Sequence, residues 1–315
     1  MTQRVRLELD PAARARAATL GAEGSAWLDR LPDVIASLED DWQVQVGWSL
    51  MGGTASWVGE VLTADGGTAV LKVALPQPDL DRSVSTLVRA AGRGYAQVLR
   101  HDLNRRALLL ERLGPIPDRT LVGHVPLIRR GARVLREAWR VSRDARYPGD
   151  PDVDEKAEWL RRLIIDDVSP RTARAPDTVI HNALRLLDRR SEAWDLPSAV
   201  VVHGDAHIAN MLPVLESRLG PVEGHVLIDP DGFVGDRAYD LGVLIREWNS
   251  VLLAADDPSS EVRAWSRLLA DETGVDEQAI WEWAYIERVT SGLHLVALGL
   301  LEQGRPFLEV ARLLR

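Results

Sequence analysis

The stretch from Ala199 to Asp240 limits what this chain can become more than any other. It runs AVVVHGDAHIANML, then a turn-rich gap, then HVLIDPDGFVGDRAYD. Val200–Val202 and Val226–Ile228 are short β-branched runs ended by turn residues, the pattern of buried strands. Each strand delivers a carboxylate into the loop that follows, Asp205 after the first and Asp229 after the second, and Asn210 closes the first loop. Asp, Asn and Asp aimed at one point make a site for a hard divalent cation and a polar reaction.

The bulk properties exclude several other chemistries. A chain of 315 residues with 46% apolar and 27% charged side chains is an ordinary globular protein, long enough for two domains or one two-lobed body. With no cysteine there is no disulfide, thiolate metal site or thiol nucleophile. The first residues carry charge throughout, and the apolar run Gly292–Leu301 is too short to span a bilayer, so a cytoplasmic protein is expected. A net charge of −9 argues against nucleic acid as a partner. It fits a cationic small substrate and equally a plain solubility device. Neither a membrane nor a protein partner is implied.

Basic residues are almost all arginine: of 38 Lys+Arg, the lysines are Lys72 and Lys156. Lys156, in DEKAEW, has the context of a surface helix. Lys72 stands in Ala69–Leu75, a run that otherwise looks fully buried, where an unpaired ammonium is costly. An edge position that lets the ammonium escape to water would relieve that cost. A compact point charge for a nucleotide phosphate is the expectation here, given the arginine usage elsewhere.

Along the chain, residues 1–40 have the composition of a polar, Ala/Arg-rich helical lead-in. From Trp42 three strands follow, WQVQVGWSL, SWVGEVLTA and AVLKVAL, joined by glycine-rich turns into an antiparallel sheet. In the first turn, Gly53, Thr54 and Ser56 are small enough for backbone N–H groups to approach a phosphate. Past Pro76 and Pro78 come a short helix and two strands, YAQVLRHD and RALLLERL, with a hinge near Gly114. Helix patterns follow at roughly 122–143, 153–168, 177–190, 240–254, 259–272, 276–301 and 305–314. The expected architecture is α+β, with a small β-rich N-terminal lobe (1–113), a large helical C-terminal lobe (114–315) and a cleft between them.

A strand lysine, then Asp-x-x-x-x-Asn, then a second Asp ahead of glycine is the order used for phosphoryl transfer in the kinase fold. In that order Asp205 accepts the acceptor hydroxyl proton and aligns its oxygen, while Asn210 and Asp229 hold Mg²⁺. HGDAHIAN and IDPDGFVGDRAYDLG resemble the paired motifs of the aminoglycoside phosphotransferases, antibiotic-resistance kinases with a protein-kinase-like fold. With GGTAS upstream and LLLERL at the hinge, they are most similar to the streptomycin 6-kinase and hydroxyurea phosphotransferase branch, over roughly residues 45–250. The resemblance implies ATP and Mg²⁺ as cofactors, Lys72 on the α/β-phosphates, and backbone groups of Glu111 and Leu113 toward adenine. His203 is expected to hold the catalytic loop by hydrogen bonds, His207 to pack it, and Asp240 to cap the following helix and brace that loop.

Two departures from the pattern stand out. Ser83 occupies the register where kinases carry the glutamate that pairs with the strand lysine, so Lys72 is left to Asp79, Asp81 or a phosphate. Pro230 replaces the phenylalanine of D-F-G, with Phe233 later, which removes an aromatic switch. Glu247, Glu282 and Glu287 are candidate carboxylates for a cationic acceptor, or else solvated helix faces. Trp139, Trp159, Trp248, Trp265, Trp281 and Trp283 are core fillers or the floor of a sugar pocket. The alternatives are a kinase-like nucleotide-binding module without catalysis, motivated by Ser83, and a metal-dependent hydrolase built on His203, Asp205 and His207. The hydrolase needs further paired histidines, and those at 101, 124, 181, 225 and 294 stand alone.

Overall fold

A computed structural model describes residues 7–77, 80–143, 155–167 and 176–314. Pro78 and Asp79, residues 1–6, and positions 153, 154 and 168 of the helix expected at 153–168 lie outside the described residues.

Helices α1 (Pro11–Thr19) and α2 (Gly21–Trp42) lead into a five-stranded antiparallel sheet. Its strands are β1 (Val44–Ser49), β2 (Ser56–Thr63), β3 (Thr68–Ala74), β4 (Val98–Asp102) and β5 (Ala107–Glu111), with α3 (Leu80–Ala90) between β3 and β4. The spatial order is β1-β2-β3-β5-β4, so the Lys72 strand is central, with Lys72 opposite Val58 on one side and Leu108 on the other.

Strand alternation divides the residues of β3 between two faces. Ala69, Leu71 and Val73 are buried against Trp27, Leu31, Ile35, Leu38 and Trp42 of α2. Helix α2 is therefore the back cover of the sheet and not a polar lead-in. Its apolar positions recur at spacings of four, four, three and four, the stripe of an amphipathic helix. Lys72 takes the opposite face, which looks toward the second lobe.

The second lobe contains α4 (Arg119–Val122), α5 (His124–Ala138), α6 (Glu155–Asp167), α7 (Asp177–Glu192), α8 (Arg237–Arg246), α9 (Asn249–Ala254), α10 (Pro258–Thr273), α11 (Glu277–Ala297) and α12 (Leu301–Leu313). Between α7 and α8 lie four short strands: β6 (Val200–Val201), β7 (Met211–Pro213), β8 (His225–Leu227) and β9 (Val234–Gly235). Helix α11 is buried on nearly every face from Ala279 to Leu293, with α6, α7, α8, α10 and α12 around it. Gly242 allows a close approach of α8 to α11, because a Cβ there would stand 2.7 Å from the backbone nitrogen of Ala284.

The single helix expected over 240–254 is broken into α8 and α9 for a specific reason. The buried guanidinium of Arg288 donates to Ile245 O at 2.8 Å, the carbonyl a continuing helix would give to Asn249, and to Asn249 Oδ1 at 3.1 Å. Among the described residues no helix is long and apolar enough to cross a membrane.

Candidate active site

Backbone pairing brings the two motif loops together. β6 pairs with β9 and β7 with β8, so the Asp205 loop, between β6 and β7, lies against the Asp229 loop, between β8 and β9. Three further backbone bonds stitch them: Val202 N to Phe233 O, Asp231 N to His203 O and Ile228 N to Asn210 O, at 2.9, 2.7 and 2.9 Å. Gly204 has φ of +89°, and a Cβ there would stand 2.6 Å from Asp231 Cβ, so the turn before Asp205 requires glycine.

His203 is fully buried and stacks on Tyr95. Its Nε2 donates to Ile228 O at 2.8 Å and its Nδ1 accepts from the Asp205 N–H at 3.1 Å, which ties the two loops through one ring. Asp240 accepts from His203 N and Gly204 N, both at 2.8 Å, and from Trp139 Nε1 at 2.9 Å. Burial raises its pKa against these three donors. Asp240 thus braces the Asp205 loop, but it does not cap the helix. It lies inside α8, and the capping carboxylate is Asp236, which accepts from Ala238 N.

Asp205 keeps 38% of its side chain exposed, and both its oxygens have partners. Arg246 donates to Oδ1 at 2.6 Å, and His207 Nε2 lies 3.3 Å from Oδ2. Burial alone would push this carboxyl up. The hydrogen bond from His207 and the charge of Arg246 outweigh it and hold the group well below the usual carboxylate range. The same contact works in the other direction on His207: burial disfavours its charged form, but the bond to Asp205 prevails and its pKa is raised. His207 is therefore an ion-pair partner of Asp205 as well as loop packing. Arg246 closes α8 and donates its other nitrogen to Glu287 on α11, whose carboxylate also accepts from Tyr239 Oη.

Asn210 donates from Nδ2 to Asp205 O at 2.9 Å, which leaves its side-chain oxygen free for a cation. Asp229 has φ of +56°, a conformation uncommon for a residue other than glycine and one that clusters at functional sites. Its carboxylate is paired with Lys72, which reaches across the cleft from β3. The partner of Lys72 is thus a residue of the second motif, and neither Ser83 nor Asp81 substitutes for a helix glutamate. One amide oxygen and one carboxylate suit Mg²⁺, which keeps several waters and takes further oxygens from phosphates.

The nucleotide-facing candidates divide. Gly53 is half-buried and Thr54 exposed in the turn, while Ser56 is buried because it opens β2 opposite Ala74. The N–H of Gly52 already donates to the Asp10 carboxylate at 2.8 Å. At the hinge, the Glu111 side chain is committed to an ion pair with Arg218 and to Gln97 N, and its own N–H donates to Gln97 O. The carbonyl of Leu113 accepts from Arg112 at 2.5 Å, so its N–H is the group left for a base.

The acceptor candidates are corrected. Glu282 is fully buried between Arg189 and Arg190, and Glu287 is 3% exposed beneath Arg246. Neither is a solvated helix face nor open to a ligand, because α11 is enclosed on all sides. Glu247 is half-buried, bonded to Arg119 at 2.7 Å and to Ile208 N at 3.2 Å, beside the Asp205 loop. Lys156 is not a surface lysine either. Its ammonium lies 3.7 Å from Asp231 and 4.8–5.4 Å from the rings of Trp159, Phe233 and Tyr239. Sequence reasoning missed Arg246 altogether, since an arginine ending a helix 41 positions past Asp205 carries no local signal.

Comparison with known proteins bears on the family and the fold. The family model described as aminoglycoside/hydroxyurea antibiotic resistance kinase matches residues 41–299. Streptomycin 6-kinase of Streptomyces glaucescens is 29% identical over 280 residues, covering 88% of this chain and 86% of that protein. Among solved structures, Plasmodium vivax ethanolamine kinase superposes with a TM-score of 0.59 at 12% identity, covering 87% of this chain and 84% of that one. Amicoumacin kinase hAmiN, solved with AMP-PNP, Ca²⁺ and Ami, superposes with a TM-score of 0.54 at 12% identity, covering 85% and 88%. These structural likenesses show the two-lobed kinase-like fold. The match over most of its length places this chain in the aminoglycoside/hydroxyurea antibiotic resistance kinase family, whose members are phosphotransferases acting on small molecules.

Proposed function

We propose that this protein transfers the γ-phosphoryl group of ATP to a hydroxyl of an aminoglycoside of the streptomycin type. The observation that carries the reading is the convergence of Asp205, Asn210, Asp229 and Lys72 on one cleft. Residues 1–113 supply the nucleotide side and residues 114–315 the loops and the acceptor side. Asn210 and Asp229 would hold Mg²⁺, which supplies charge neutralisation on the phosphates when bound. Lys72 gives the α/β-phosphates a compact cation, for which it leaves Asp229. The N–H of Leu113 and the carbonyl of Glu111 meet the adenine edge. Asp205 takes the acceptor hydroxyl into a hydrogen bond, orients its oxygen along the line of attack and receives its proton as the bond to phosphorus forms. A carboxylate of low basicity suits this role, because a loose transition state needs alignment more than early proton removal. A nucleotide requirement also fits a cytoplasmic location.

The test is a screen of ATP and GTP consumption over streptomycin, other aminoglycosides, hydroxyurea and simple sugars. The expected result is ATP-dependent phosphorylation of streptomycin. Turnover confined to hydroxyurea would replace the acceptor class, and hydrolysis without any nucleotide would overturn the reading.

A further inference from the structure

A carboxylate that aligns a hydroxyl has to be held still, and a short loop alone does not hold it. The Asp205 loop is three residues of 3-10 turn away from β7, with a φ-positive glycine before it. Rotation about the side-chain bonds of Asp205 would present either oxygen, at any tilt, to an incoming hydroxyl. The structure removes that freedom from one side. Arg246 donates to Oδ1 at 2.6 Å, the range of a strong charge-assisted bond. The contact at the other oxygen, from His207 to Oδ2, is longer at 3.3 Å.

Arg246 is itself fixed by its helix and by a second carboxylate. It is the last residue of α8, whose Gly242 crosses α11 at backbone distance. Its second guanidinium nitrogen is bonded to Glu287 on α11, and Glu287 is oriented by Tyr239 Oη. Tyr239 is packed edge-on between the rings of Phe233 and Trp283. The planar fork of an arginine spans both carboxylates at once, which a lysine cannot reproduce. Glu287 also balances the arginine's charge.

We propose that Arg246, anchored by Glu287, is the positioning residue that locks Oδ1 of Asp205 and so dedicates Oδ2 to the acceptor hydroxyl, which takes the place of the longer His207 contact. This rests on the phosphotransferase reading of Asp205. The guanidinium of Arg246 is committed to Asp205 and Glu287, so its loss is expected to act on the transfer step.

The experiment compares wild type, Arg246→Ala, Arg246→Lys and the double variant Arg246→Ala/Glu287→Gln, each first checked for folding by thermal melting. The double variant leaves no stranded carboxylate in the core, so it reports on Asp205 even where the single alanine variant is unstable. Expected for both alanine variants is a fall in kcat on the order of 10- to 100-fold, the loss of one hydrogen bond between charged groups, with KM for nucleotide and acceptor unchanged. Guanidinium chloride at non-denaturing concentration should restore part of the rate, and urea, its uncharged analogue, should not. Arg246→Lys should retain an intermediate kcat. Folded variants with wild-type kcat, or a loss carried by KM, would overturn the inference while leaving the phosphotransferase reading intact. A wild-type enzyme that phosphorylates no acceptor would overturn both.

Discussion

At the scale of the residue, Asp205 is held by opposing forces. Burial favours the neutral acid, while His207 and Arg246 favour the carboxylate, and the pair of cations wins. Replacement of Asp205 by alanine should lower kcat by about 10²- to 10⁴-fold, the contribution typical of a positioned base, with nucleotide affinity kept. Equilibrium binding of a fluorescent ATP analogue beside steady-state kinetics checks both halves. The pairing also predicts a pH signature in stability. His207 has a raised pKa, so its stabilising contribution is fully present below the unfolded value near 6.5 and is lost as pH rises through the folded value. The melting temperature of wild type should therefore exceed that of His207→Gln by more at about pH 6 than at about pH 9. A gap that did not change with pH would mean the pair does not form in solution. The identities of Asp205, Asn210 and Asp229 as candidates were legible in the sequence because they lie within short loops after short strands. Arg246 and the surroundings of Lys156 were not, because their partners lie far away in sequence and are brought close by helix packing alone.

At the scale of the element, the α8–α11 crossing positions the site. Asp240 and Arg246, both on α8, reach the Asp205 loop, and Gly242 between them sets the distance to α11. A Cβ at position 242 meets backbone, which cannot swing aside. Gly242→Ala should thus destabilise the protein by about 1–3 kcal/mol, visible as a lower urea midpoint, and lower kcat through the displaced Asp205 supports. The back of the sheet gives a second case. Leu38, buried between α2 and the strands, should cost about 2–5 kcal/mol when cut to alanine. The stripe that makes α2 a sheet cover is present in the sequence, but the charged outward face masks it when residues 1–40 are averaged. The break between α8 and α9 has no such signal. It depends on Arg288, some forty positions later, taking a helix carbonyl.

At the scale of the whole molecule, the Lys72–Asp229 pair is the contact that spans the cleft where a nucleotide would enter. An α+β plan with a small sheet and a helical lobe follows from the order of strand and helix periods, so it was legible in the sequence. The contacts between the lobes were not, since Lys72–Asp229, Glu111–Arg218 and Tyr95–His203 each join residues more than 100 positions apart. If Lys72 serves phosphate, Lys72→Ala should raise KM for ATP much more than KM for the acceptor, and equal rises would remove it from the phosphate site. Phosphoryl transfer from nucleotide to a small-molecule hydroxyl through Asp205 is the chemistry proposed for this cleft. Mass spectrometry of streptomycin incubated with Mg·ATP and either wild type or Asp205→Ala tests it most directly. A singly phosphorylated product should form in step with ADP with wild type, and at least about 100-fold more slowly with the variant. Product formed equally by both, or none from a folded, nucleotide-binding wild type, would contradict it.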